Sequence, residues 1–161
     1  MPKQIPCLWF DGQAEEAAQH YVSIFPNSSI DGITRYGPDM PPPMEDGDVL
    51  TVSFTLDGQE YLGLNGGPQF RFTEAISFQI MCRDQEEVDH YWTRLTEGGE
   101  ESQCGWLKDK FGVSWQVIPV EMMSLVQDPD PGRAQRATQA MLGMRRIDMA
   151  EIRRAADSVP A

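Results

Sequence analysis

Few residues in this chain could do acid–base or metal chemistry, and two of them sit in matching surroundings. The two histidines are His20, in EAAQHYVSIF (Glu16 to Phe25), and His90, in EEVDHYWTRL (Glu86 to Leu95), each followed by a tyrosine. A histidine that moves protons needs a nucleophile or carboxylate in hydrogen-bond reach within a cavity. Adjacent helix residues point about 100° apart, so a His-Tyr pair does not share one face. The tyrosines fall on apolar stripes and the histidines at their margins, which reads as repeated architecture rather than a proton relay. The three cysteines, Cys7, Cys82 and Cys104, form no CxxC and pair with no histidine at metal spacing. They read as small, largely buried thiols in a reducing compartment. Glu60 starts a strand, but no second carboxylate or imidazole can be matched to it, whereas a catalytic metal needs about three protein ligands.

The chain that must position these groups has 161 residues, enough for one domain or two small fused modules. Acidic residues outnumber basic ones 25 to 13, a net charge of −12 that repels phosphate backbones and argues against nucleic acid as a partner. No apolar run approaches the roughly 18 residues of a membrane span. The N-terminal MPKQIPCLWF runs straight into a strand pattern, so no signal peptide is expected and the location expected is cytoplasmic.

Apolar periodicity predicts strand Gln4–Phe10, helix Gln13–Phe25 and strands Ser29–Tyr36, Val49–Leu56 and Gln59–Leu64, the last two joined by an Asp57-Gly58 hairpin turn. The order β-α-β-β-β then recurs. Ala75–Cys82 is the next strand, Asp84 caps a helix running to about Thr96, and Glu101–Cys104, Leu107–Phe111 and Val113–Ile118 follow as short strands. Duplication follows from the gapless match of the two helical segments. The expected organisation is α+β, with modules at 1–67 and 68–119 and a helical tail at 120–161, forming one compact domain. The tail is expected as helices Val120–Val126, Arg133–Met144 and Asp148–Ala156, suited to covering a sheet edge or making a dimer contact. Alternation places Ser77, Gln79 and Met81 on one face of their strand and Ile76, Phe78, Ile80 and Cys82 on the other, which should pack on the helix. By the same rule Ser114, Gln116 and Ile118 alternate with Trp115 and Val117.

Five stretches carry a family resemblance: LWFDGQAEEAAQHYVSIFPNSSI, LGLNGGP, FTEAISFQIMCRDQEEVDHYW, GWLKDKFGVSWQVIP and DPDPGRAQRATQAMLGMRRIDMAEIRRA. They resemble the PhnB-like family, whose members are often labelled 3-demethylubiquinone-9 3-methyltransferase. It lies within the vicinal oxygen chelate superfamily, with glyoxalase I, extradiol dioxygenases and the bleomycin- and fosfomycin-resistance proteins. The resemblance implies curved sheets that each form half of a cup, and four cup-facing positions that in the enzymes hold a divalent metal. Those positions fall here at Pro6 (Cys7 with a one-residue shift), at Gly63 or Asn65, at Ser77 and at Gln116. Proline, glycine and serine cannot replace histidine or glutamate, so the metal site reads as degenerate and no cofactor is expected. The methyltransferase label finds no GxGxxG turn to support a nucleotide-type cofactor.

What remains is a cavity for a small molecule. The expected lining is Trp9 or Phe10, Phe54, Asn65, Ser77, Gln79, Trp106 and Gln116, an apolar, aromatic pocket with a few amides and hydroxyls. The expected function is binding of a small apolar or aromatic molecule without a catalytic metal, in a homodimer. The alternative is an enzyme of the superfamily: a metal-dependent lyase, isomerase or dioxygenase, or the methyltransferase of the label.

Overall fold

The computed structural model describes residues 3–158. The chain divides into two compact units, Met1–Phe72 and Thr73–Ala161. The first holds β1 (Cys7–Phe10), α1 (Ala14–Ile24), β2 (Ser29–Arg35), β3 (Val49–Leu56) and β4 (Gln59–Asn65). The second repeats the order with β5 (Phe78–Cys82), α2 (Gln85–Thr96), β6 (Glu100–Glu101), β7 (Trp106–Lys108) and β8 (Ser114–Pro119). It then adds α3 (Val120–Val126), α4 (Pro131–Leu142) and α5 (Met149–Asp157). The fold is α+β with two βαβββ modules, as expected.

The sheets share one topology: β1-β4-β3-β2 in the first unit and β5-β8-β7-β6 in the second. In each, the opening strand runs parallel to the last, β1 with β4 and β5 with β8, because the helix carries the chain back across the sheet before the antiparallel strands form.

In the first unit α1 presents Ala14, Ala17, Ala18, Tyr21 and Ile24, all buried, to the sheet. The sheet answers with Leu8, Phe10, Val52, Phe54, Leu56 and Tyr61. Tyr21, Phe54 and Tyr61 form a stack, with ring centroids 6.2 and 5.4 Å apart. The alanine stripe lets α1 approach closely: a Cβ on Gly63 would lie 3.2 Å from the Cβ of Ala14.

In the second unit Asp84 caps α2 by accepting from the Glu87 amide at 2.9 Å. Val88, Tyr91, Trp92 and Leu95 pack on Leu107, Trp115 and Val117. Asp109 is 3 % exposed and its carboxylate organises the β7–β8 turn. Its Oδ1 accepts from the Phe111 and Val113 amides at 2.9 and 3.0 Å, and its Oδ2 from Trp115 Nε1 at 2.8 Å. The tail belongs to this unit. Met122, Ala137, Met144, Ile147, Met149, Ile152 and Ala156 form a buried cluster with Ile118 of β8. Gln85 ties the tail to α2, donating to the Ile147 carbonyl at 2.8 Å and accepting from the Met149 amide at 2.9 Å.

The structure shortens several expected elements. Ile76 was expected on the helix-packed face, but it lies ahead of β5 and is 71 % exposed. Both tyrosines of the His-Tyr pairs are buried, with His20 half-buried and His90 exposed on the helix margins. Each histidine ring rests against its tyrosine, at 5.9 and 4.9 Å between centroids.

Candidate functional site

Each sheet has one face against its helix and one facing away, and the polar chemistry gathers on the second. In the first unit the outward face carries Cys7 and Trp9 of β1 opposite Leu62 and Leu64 of β4, and then Thr51, Ser53 and Thr55 of β3. Asp31 accepts from the Ser29 and Thr55 hydroxyls at 2.6 Å each, and these bonds hold its carboxyl below the usual range. A cleft of about 390 Å³ opens here, among Ile5, Asp31, Ser53, Glu60 and Leu62. Trp9 lies flat on the chain beyond β4. Its Nε1 donates to the Gly67 carbonyl at 2.9 Å, and its ring meets Phe70 edge-on at 4.9 Å. Gly66 permits this, because a Cβ there would fall 2.3 Å from the indole ring.

In the second unit the outward face is built from cross-strand rows. Gln79 of β5, Gln116 of β8 and Trp106 of β7 stand in one row. Ser114 and Lys108 stand in another, one pleat along. Gln79 Nε2 donates to Gln116 Oε1 at 3.3 Å, and Gln116 Nε2 donates to the Ser77 hydroxyl at 2.8 Å. Lys108 is ion-paired with Glu74, which raises the ammonium pKa and lowers that of the carboxyl. Ser114 is 2 % exposed, and its Oγ has no hydrogen-bond partner among the described residues.

The expected lining residues therefore separate. Ser77, Gln79, Trp106 and Gln116 come together on one outward face, and Trp9 lies on the other unit's outward face. Phe10 and Phe54 are 2 % and 1 % exposed and pack on the α1 side of their sheet, and Phe54 also borders the 390 Å³ cleft. The alternation of Thr51, Ser53 and Thr55 with Val52, Phe54 and Leu56 held that signal. Asn65 is also structural. Its Oδ1 accepts from the Ala14 amide at 2.9 Å, satisfying the start of α1, and its Nδ2 donates to the Val49 carbonyl at 3.0 Å. It also lines a separate cavity of about 490 Å³, with Asp11, Glu15, Glu16, Tyr36, Met44 and Asp48 among others.

The metal-ligand positions implied by resemblance do not make a donor set. Gly63 points its missing side chain at Ala14 and Phe10 on the helix side. Of the two β1 candidates, Cys7 stands on the outward face, and partial burial raises its thiol pKa. Ser77 and Gln116 are neutral and bonded to each other. Among the described residues no group of three or more His, Cys, Asp or Glu could hold a metal ion. These residues do not fit a divalent cation, which needs several charged or imidazole ligands converging.

Burial pushes the Cys82 thiol up to about 12, with Glu87 and Asp84 adding repulsion. Iodoacetamide at pH 8.5 is therefore expected to label Cys82 only after unfolding, as read by mass spectrometry of the digested protein; labelling of the native chain at Cys82 would contradict its burial. The native state keeps this proton where the unfolded chain has lost it, so its contribution to stability is full below pH 9 and declines as pH rises towards 12.

Residues 2–118 match the family model described as 3-demethylubiquinone-9 3-methyltransferase. A PhnB protein from Bacillus cereus that carries the same methyltransferase description is 35 % identical, with a TM-score of 0.66 over 73 % of this chain and 99 % of that one. A protein from Pseudomonas aeruginosa shares the fold at 20 % identity, with a TM-score of 0.62 over 74 % of this chain and 98 % of that one. No curated protein matches the sequence significantly. With the duplicated βαβββ order and a relative matched along nearly its whole length, the chain belongs to the 3-demethylubiquinone-9 3-methyltransferase family.

Proposed function

We propose that this protein binds a small apolar or aromatic molecule on the outward sheet face that carries Trp106, Ser77, Gln79 and Gln116, without a resident catalytic metal. The observation that carries this reading is the hydrogen-bonded chain Gln79–Gln116–Ser77, whose two amides stand in the same cross-strand row as Trp106. An indole gives a flat apolar surface, and the bonded amides hold their remaining donors and acceptors in fixed positions. Such a surface orients a planar ligand, while a divalent ion would find only neutral oxygens along that row. Trp9, Leu62 and Leu64 offer a second, more apolar surface in the first unit.

The test is a thermal denaturation screen against aromatic and drug-like compounds. A ligand present at about 100 times its Kd adds about 2.7 kcal/mol, worth roughly 5–10 °C in a chain of this size. Trp106→Ala is expected to remove that shift. A screen with no shift, or a shift unchanged by Trp106→Ala, would overturn the proposal.

The methyltransferase of the family description is a second reading, favoured by the match itself. It requires S-adenosylmethionine binding, measurable by calorimetry, and heat of binding near one equivalent per chain would favour it over the first. We also infer a cytoplasmic homodimer. The free thiols of Cys7, Cys82 and Cys104 suit a reducing compartment, and no helix among the described residues is long and apolar enough to cross a membrane. Sedimentation at twice the mass of one chain is the result expected.

A further inference from the structure

The outward face of the second unit contains a hydroxyl that the fold leaves unused. Ser114 Oγ is buried with no hydrogen-bond partner among the described residues, although native structures pair nearly all such groups. Its place on β8 is two residues before Gln116, on the same face, and directly opposite Lys108. Ser77, two residues before Gln79, lies at the same end of the sheet, and its oxygen already accepts from Gln116, so its own proton is free to be donated. Three donors thus gather beyond the Gln79–Gln116–Trp106 row: the Ser77 hydroxyl, the Ser114 hydroxyl and the Lys108 ammonium. What they lack is acceptors. Lys108 has one in the Glu74 carboxylate, which comes from the segment before β5 and is 63 % exposed, and it also stands opposite Glu100 of β6, whose charge acts on it. An exposed ion pair of this kind is weakly held and readily exchanged.

We propose that the ligand of this face is a planar aromatic carboxylate. Its ring lies on Trp106. Its carboxylate displaces Glu74 from Lys108 and supplies the acceptor that Ser114 lacks. Glu74 is then an internal occupant of the anion position, holding Lys108 in place while the site is free. This inference rests on the binding function proposed above and narrows it to one ligand class.

The test compares 2-naphthoate with 2-acetylnaphthalene, which keeps the ring and a carbonyl but has no charge. Binding is followed by calorimetry on the full chain. The expected result is that 2-naphthoate binds at least tenfold more tightly. Lys108→Gln should cost it about tenfold while leaving 2-acetylnaphthalene unchanged, Ser114→Ala should cost it about tenfold and 2-acetylnaphthalene less, and Glu74→Gln should tighten it by removing the competitor. Ser114→Ala removes a buried, unpaired hydroxyl, so its denaturation midpoint should not fall and a loss of binding cannot be a loss of fold. Equal affinity for the two compounds would overturn the carboxylate proposal and leave the binding function standing. Unchanged 2-naphthoate affinity in Ser114→Ala would also overturn it. Failure of both compounds to bind the wild-type chain would overturn this inference and count against the broader reading of the face.

Discussion

Replacing Asp109 with alanine is expected to lower the unfolding free energy by about 4 kcal/mol, the largest loss for any single polar residue of the second unit. The carboxylate accepts three hydrogen bonds, from the Phe111 and Val113 amides and from Trp115 Nε1. Alanine would leave three donors unpaired in a place that is almost closed to water. It would also release the indole of Trp115, which is 2 % exposed and fills the space between β8 and α2. Asparagine keeps one acceptor oxygen and should cost about half as much, since either the turn amides or the indole must go without. Urea denaturation read by tryptophan fluorescence measures both. A loss below about 1 kcal/mol for Asp109→Ala would mean the carboxylate organises nothing.

The second large effect is expected at Gly99, which follows α2. A Cβ there would fall 2.2 Å from the Lys108 carbonyl oxygen and 2.9 Å from the Asp109 Cα, both backbone atoms. Neither can swing aside as a side-chain end would, so Gly99→Ala must push β6 away from β7 or unwind the end of the helix. Overpacking of this kind costs about 3 kcal/mol. Gly32 is the matched control. It lies in β2, and a Cβ there would meet nothing within 4 Å, so Gly32→Ala should change stability by less than about 0.5 kcal/mol. Equal denaturation midpoints for the two variants would contradict the close approach.

The module order was legible because it rests on local signals. The Asp57-Gly58 turn, the Asp84 cap and the apolar stripes of the two helices each act within a few residues, and the structure follows them. Strand ends were less legible. Alternation continues through Ile76, but pairing with β8 begins at Phe78, and nothing in the local pattern records where a partner strand stops. The site was legible in one unit more than in the other. Gln79 and Gln116 share a face because alternation on two parallel strands agrees, and register then brings their amides together. Phe10 sits in a strand of four residues whose every side chain has apolar character, so periodicity could not orient it. Asn65 was expected in a pocket and does line a cavity, but its bond to the start of α1, a contact across 51 residues, was not legible. Asp109 carried a readable signal, because an aspartate two residues before Phe111-Gly112 is the composition of a side-chain-closed turn.

The outward sheet face is proposed to bind an aromatic molecule through Trp106 and neutral amides, without a metal. This is tested most directly by the midpoint shift that the best-binding aromatic compound gives in excess EDTA, compared with the shift in added zinc or manganese. The same shift is expected in both. A shift that vanishes in EDTA and returns with one equivalent of metal per chain would contradict the proposal.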